Sequence, residues 1–156
     1  NRRLGVLVDL FDEVMHTVKG TAPEADKRVY YSALRGYLEN GRLADLFEIL
    51  LDNAYRLFVT ADHGNLAGVG VGLKPPKALV ERYARRVAVF DHAGLAQEYA
   101  QAHGLRTFRT KALPPDVHPV YPPGNGLFDT QGATLISHGG LSLEELVVPF
   151  VEVSRP

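Results

Sequence analysis

The chain has 156 residues, 46% of them apolar, enough for one ordinary domain with its own core and too few for a second. A formal net charge of −1 with 22% charged residues excludes a global field that gathers polyanions, so any phosphate or nucleic-acid binding has to be local. The absence of cysteine excludes disulfide scaffolds, thiolate zinc sites, iron–sulfur clusters and cysteine nucleophiles, which leaves histidines and carboxylates as the strong metal ligands.

Asn1 is followed within three residues by Leu4-Gly5-Val6-Leu7-Val8, an apolar run that reads as a fully buried strand. Such an opening reads as the interior of a longer chain, so further parts of any site are expected upstream. Residues 9–19 place Phe11, Met15 and Val18 at helical spacing, and a loop over 20–23 follows. A helix is predicted over 29–38. The stripe Leu43, Leu46, Phe47, Leu50, Leu51 and Ala54 predicts another with one apolar face.

Residues 56–60 read as a strand running into the turn-prone Ala61-Asp62-His63-Gly64-Asn65. Gly68, Gly70, Gly72, Pro75 and Pro76 read as a mobile connection, with a short helix through Leu79 and Tyr83 after it. A strand is expected at 86–90, then a helix over 95–102 capped by Asp91 and ended by Gly104. A short strand is expected at 107–110. Residues 113–126 hold five of the ten prolines and read as an irregular excursion. A strand at 133–137 leads into His138-Gly139-Gly140, Ser142 and Glu145 fit a capping box, and residues 147–153 form a last strand interrupted by Pro149.

No repeat or low-complexity tract is present. Strands alternating with helical segments predict an α/β layered fold, with a largely parallel sheet flanked by helices, in a single domain over residues 1–156. The longest run without charge, residues 130–143, is too short and too polar to span a bilayer, so a cytoplasmic protein with no membrane partner is expected.

In open α/β sheets ligands gather beyond the carboxyl ends of strands, which gives weight to three places. Asp12 and His16 stand four apart on the predicted first helix, with carboxylate and imidazole on one face. Asp62 and His63 follow a strand, with Gly64 free to turn the backbone. His138 follows another strand and precedes two glycines. Together these donors fit a site for one or two metal ions bound by His and Asp. Arg82, Arg85 and Arg86, with Lys74 and Lys77 around Tyr83, form a local basic cluster that can meet substrate phosphates or can be a solvated face. Asp91-His92 reads as a helix cap, and His103 and His118 read as structural or solvated.

The ordered set Asp12-x-x-x-His16, Asp62-His63-Gly64 and His138-Gly139-Gly140 resembles the metal-binding half of the alkaline-phosphatase superfamily. More narrowly, the run from Ile136 through Ser137-His138-Gly139-Gly140-Leu141-Ser142-Leu143-Glu144-Glu145-Leu146-Val147-Val148 to Pro149, with Arg82-Tyr83 before it, resembles the PglZ domain of bacterial phage-defence (BREX) systems. The resemblance implies an alkaline-phosphatase-like layered fold of which this chain is the C-terminal, metal-binding part. It also implies that Asp12, His16 and His138 hold one divalent ion and Asp62 and His63 a second, zinc by ligand chemistry with manganese tolerated. The nucleophile, a Thr or Ser in this superfamily, is expected upstream of residue 1.

The implied activity is metal-dependent phosphomonoester or phosphodiester hydrolysis, with a nucleotide or nucleic acid as substrate and other defence proteins as partners. Two ions about 3.5–4 Å apart suit the attacking and leaving oxygens of an in-line displacement at phosphorus. Two rival readings stand beside it. Asp62-His63-Gly64-Asn65 also resembles the cofactor-independent phosphoglycerate mutases of the same superfamily, and a non-catalytic interaction module of a defence complex would keep the fold without the chemistry.

Overall fold

The structure, a computed structural model, describes residues 3–9, 23–77, 80 and 82–155. Residues 10–19 of the expected first helix, with Asp12 and His16, lie outside the described residues. The chain divides into two units, residues 1–58 with 152–156 and residues 59–151.

In the first unit, helix α1 (Pro23–Glu39) packs on helix α2 (Arg42–Asp52), and Gly41 between them adopts the left-handed conformation at φ 82°. The apolar stripe of α2 forms as expected: Leu43, Leu46, Phe47, Leu50 and Leu51 are all half-buried. Ala54 lies past the helix end. Two exposed ion pairs tie the chain end back, Arg56 to Glu152 at 2.8 Å and Arg155 to Asp52. The run at residues 4–8 corrects the sequence reading: it carries no strand, and Leu4, Val6 and Leu7 are exposed.

The elements that follow are strands β1 (Leu57–Thr60), β2 (Leu66–Gly70), β3 (Arg82–Ala84) and β4 (Val87–Phe90), then helix α3 (Ala93–His103). After them come β5 (Arg106–Thr107), β6 (His118–Tyr121), β7 (Gly126–Leu127), β8 (Thr134–Ser137), helix α4 (Leu143–Leu146) and β9 (Phe150–Val153). β1 and β9 form a two-stranded sheet; the orders β7-β2-β8 and β3-β4-β6-β5 give two more.

The chain is thus mixed α/β, and the expectation of one largely parallel sheet is corrected. Among the described strand pairs β2–β7 is parallel, whereas β2–β8, β3–β4, β4–β6 and β5–β6 are antiparallel. Connection length is the reason. Arg85 and Arg86 alone separate β3 from β4, a hairpin that leaves no room for the crossover a parallel pair needs.

Two segments read as irregular are strands. The glycines of β2 mark a close approach and not a linker: a Cβ on Gly70 would stand 1.9 Å from the Thr130 carbonyl oxygen, so only glycine lets the 129–130 backbone pass. The proline-rich stretch contains β6, which lies between β4 and β5 with Pro119 and Val120 buried. Residues 82–84, expected in a helix, form β3.

The core joins α3 to the four-stranded sheet. Ala96 and Ala100 on one face of α3 meet Ala88, Phe90, Val120 and Phe128, with Leu73, Val80, Tyr99 and Leu105 around them. Small alanines bring the helix close enough for Phe90 and Phe128 to fill the space, and each buried ring contributes about 2–3 kcal/mol. Gly104 ends α3 at φ 65°, as expected, while the N-cap is His92 and not Asp91.

Candidate metal centre

The β2–β8 ladder brings the two histidine loops together. Leu66 faces Ser137 in antiparallel register, so the residues just before Leu66 and just after Ser137 lie side by side, and these hold His63 and His138. Their imidazoles stack, with centroids 3.9 Å apart and planes 8° from parallel.

The His63 ring is fixed by its neighbours. Its Nδ1 lies 3.0 Å from the Gly64 carbonyl oxygen, which can only accept, so Nδ1 is the ring's donor here and, in the neutral ring, Nε2 is the acceptor. That Nε2 stands 3.7 Å from Asp62 Oδ1, which also accepts the His63 backbone N–H at 3.0 Å. With the ring neutral these are two acceptors, and their separation suits a shared cation: with metal–donor distances of about 2.0–2.2 Å, ligands at ordinary tetrahedral or wider angles stand roughly 3.3–3.8 Å apart. A ring N–H donating to a backbone carbonyl is also the usual outer support of a metal-binding histidine. Asp62 is exposed and His63 half-buried, so the pair is open to solvent.

Stacking limits how the two histidines can be used. Lone pairs in parallel planes cannot both point at one ion lying between the rings, because each would meet it far out of its own plane. The rings as placed therefore do not share one ion between them. Among the described residues no group of three or more His, Asp or Glu gathers as a metal cage. Asp12 and His16 lie outside the described residues.

One residue anchors both loops, through its carboxylate and its backbone carbonyl. Glu145, on α4, is 2% exposed and accepts Arg86 Nε on Oε1 and Arg86 Nη2 on Oε2, each at 2.9 Å. Oε1 also accepts the Gly140 N–H at 2.8 Å, two residues past His138, and Oε2 the Ser142 N–H at 3.2 Å. The Glu145 carbonyl accepts the Gly64 N–H at 2.8 Å, next to His63. Both glycines are required by space: a Cβ on Gly64 would stand 1.9 Å from the Glu144 carbonyl oxygen, and one on Gly140 would stand 2.6 Å from both Arg86 Nη2 and Glu145 Oε2. Arg86 completes the clamp by donating to the carbonyls of Gly124 and Gly126.

The basic cluster is therefore divided. Arg86, expected to meet substrate, is 3% exposed and its guanidinium is committed to Glu145 and two carbonyls, so it serves the fold. Arg85 pairs with Asp129 at 3.2 Å. The Arg82 side chain lies outside what is described.

Burial pushes the Glu145 carboxyl upward, but the hydrogen bonds from Arg86, Gly140 and Ser142 outweigh it and hold the group below the ordinary Glu value of 4.5. A group harder to protonate folded than unfolded stabilises fully above the unfolded value and loses that contribution as pH falls through the folded one. The stability gap between wild type and Glu145→Gln is therefore expected to be widest near about pH 7 and to narrow below about pH 4. Urea unfolding of both proteins across that range checks it; a gap that widens in acid contradicts it.

The clamp was only half legible in sequence. The Ser142–Glu145 capping box is present, but nothing in the local pattern showed that the same carboxylate also holds Arg86 and Gly140.

A family model described as the BREX system PglZ alkaline phosphatase-like domain matches residues 17–153. No curated protein and no solved structure matches the chain.

Proposed function

Because the chain belongs to the PglZ family of BREX alkaline phosphatase-like domains, we propose that it is the metal-handling part of a phosphoester hydrolase acting in phage defence. The observation that carries this reading is the His63 arrangement. A ring whose Nδ1 is held by the Gly64 carbonyl turns its Nε2 toward the Asp62 carboxylate, and a second imidazole is stacked against it.

In this reading Asp62 and His63 hold one divalent ion, and His138 holds a second together with Asp12 and His16. Zinc or manganese suits such donors. Bound ions supply positive charge for the attacking and leaving oxygens of displacement at phosphorus. The chain's own residues hold the ligand loops: Glu145 and Arg86 fix the Gly64 and Gly140 turns, so the imidazoles need little rearrangement when a substrate arrives. The nucleophile is assigned to none of the described residues. A cytoplasmic setting and a nucleotide or nucleic-acid substrate belong to the same proposal, and among the described residues no helix is long and apolar enough to cross a membrane.

The test uses the full-length protein loaded with zinc or manganese. Hydrolysis of an aryl phosphate or aryl phosphodiester that a chelator abolishes and metal restores is the expected result. Metal-loaded protein inert toward both ester classes would instead be a non-catalytic interaction module.

A further inference from the structure

Beside the histidine loops lies an open cavity of about 380 Å³, within the range of small-molecule sites. Leu66, three residues after His63, and Leu141, three after His138, both line it. Its polar side chains come from Arg86, Arg106, Tyr121, Asn125, Ser142 and Glu144.

Arg106 distinguishes this cavity from an ordinary surface dent. It faces Tyr121 across the β5–β6 ladder, so the two side chains stand on one face of the sheet. Arg85 and Arg86 are tied to Asp129 and Glu145, whereas Arg106 makes no side-chain hydrogen bond or ion pair among the described residues. An unpaired guanidinium beside a cavity is a fork for a phosphate or carboxylate. Burial, and then the Glu145 charge, raise the Tyr121 hydroxyl above its usual value, which keeps it protonated and able to donate. Opposite in character, Glu144 is held ionised by its own backbone N–H and by Ser142, and as a carboxylate it only accepts. Leu66, Pro122 and Leu141 add an apolar wall.

We propose that this cavity is a leaving-group subsite for a phosphorylated sugar, free or within a nucleotide, with Arg106 on a phosphate and Glu144 on the sugar hydroxyls. An anion needs the cation, the hydroxyls need the acceptor, and the apolar wall suits the ring. The leaving-group role rests on the phosphoester reading above, while binding itself does not.

Calorimetric titration of the full-length protein with inorganic phosphate, ribose 5-phosphate and adenosine monophosphate tests it. Ribose 5-phosphate is expected to bind at least about tenfold more tightly than phosphate. Arg106→Ala is expected to weaken ribose 5-phosphate about tenfold, and Glu144→Gln to erase its advantage over phosphate. Adenosine monophosphate binding more tightly than ribose 5-phosphate identifies a nucleotide subsite, and equal or weaker binding a free sugar phosphate. Equal affinity of phosphate and ribose 5-phosphate, or titrations unchanged in Arg106→Ala, overturn the proposal. Because binding is read without turnover, a protein that binds but does not hydrolyse overturns only the catalytic reading.

Discussion

Replacing Arg86 by Met is expected to remove about 3–5 kcal/mol of folding stability, the cost of leaving a buried carboxylate without its counter-ion. The magnitude follows from burial and from the number of bonds that end on one guanidinium. Arg86 and Glu145 are 3% and 2% exposed, so water cannot replace the lost partner. Met fills much of the volume but returns none of the donors to Glu145, Gly124 or Gly126. Removing both charges does not restore stability either, because the Gly140 and Ser142 N–H groups then lose their acceptor. Arg86→Lys keeps the charge but not the two-pronged geometry, and should fall between wild type and Met. Chemical unfolding of the three proteins measures the series, and a loss below about 1 kcal/mol for Arg86→Met would mean that the clamp is not what joins these loops.

The second large effect is on turnover. His138→Ala and His63→Ala are each expected to lower phosphoester hydrolysis by the full-length protein at least about 100-fold while leaving unfolding stability nearly unchanged. Neither imidazole is part of the buried core, so truncation removes a donor and a stacking partner and opens no large cavity. A substitution in the clamp acts on stability first, whereas a substitution of a donor acts on metal and rate. Wild-type-like turnover in His138→Ala would refute its role.

How much of this was readable beforehand differs by element. Helix α2 was legible because its five leucine and phenylalanine positions recur at helical spacing, and the helix appears where they do. The Asp62-His63-Gly64 and His138-Gly139-Gly140 segments were legible as turns following strands, which is where they stand. β2 was not, because glycine reports local freedom in a sequence while its role here is to admit the Thr130 backbone. β6 was hidden among prolines for a similar reason: Pro119 is tolerated by the ladder around it, a property of pairing that no local pattern displays. The antiparallel sheets were missed because strand–helix alternation says little about which strands pair. Arg86 and Arg106 look alike in sequence. Both line the open cavity, and only the fold ties one of them to a buried carboxylate.

The central claim is that folding gathers imidazoles and carboxylates from distant loops to hold divalent ions. Its most direct test is the metal content of the purified full-length protein after saturation with zinc or manganese and removal of excess ion. Wild type should retain two ions per chain and His138→Ala about one if, as proposed, the two parallel rings belong to separate ions. Retention of no ion by wild type, or the same number by wild type, His63→Ala and His138→Ala, would contradict the account.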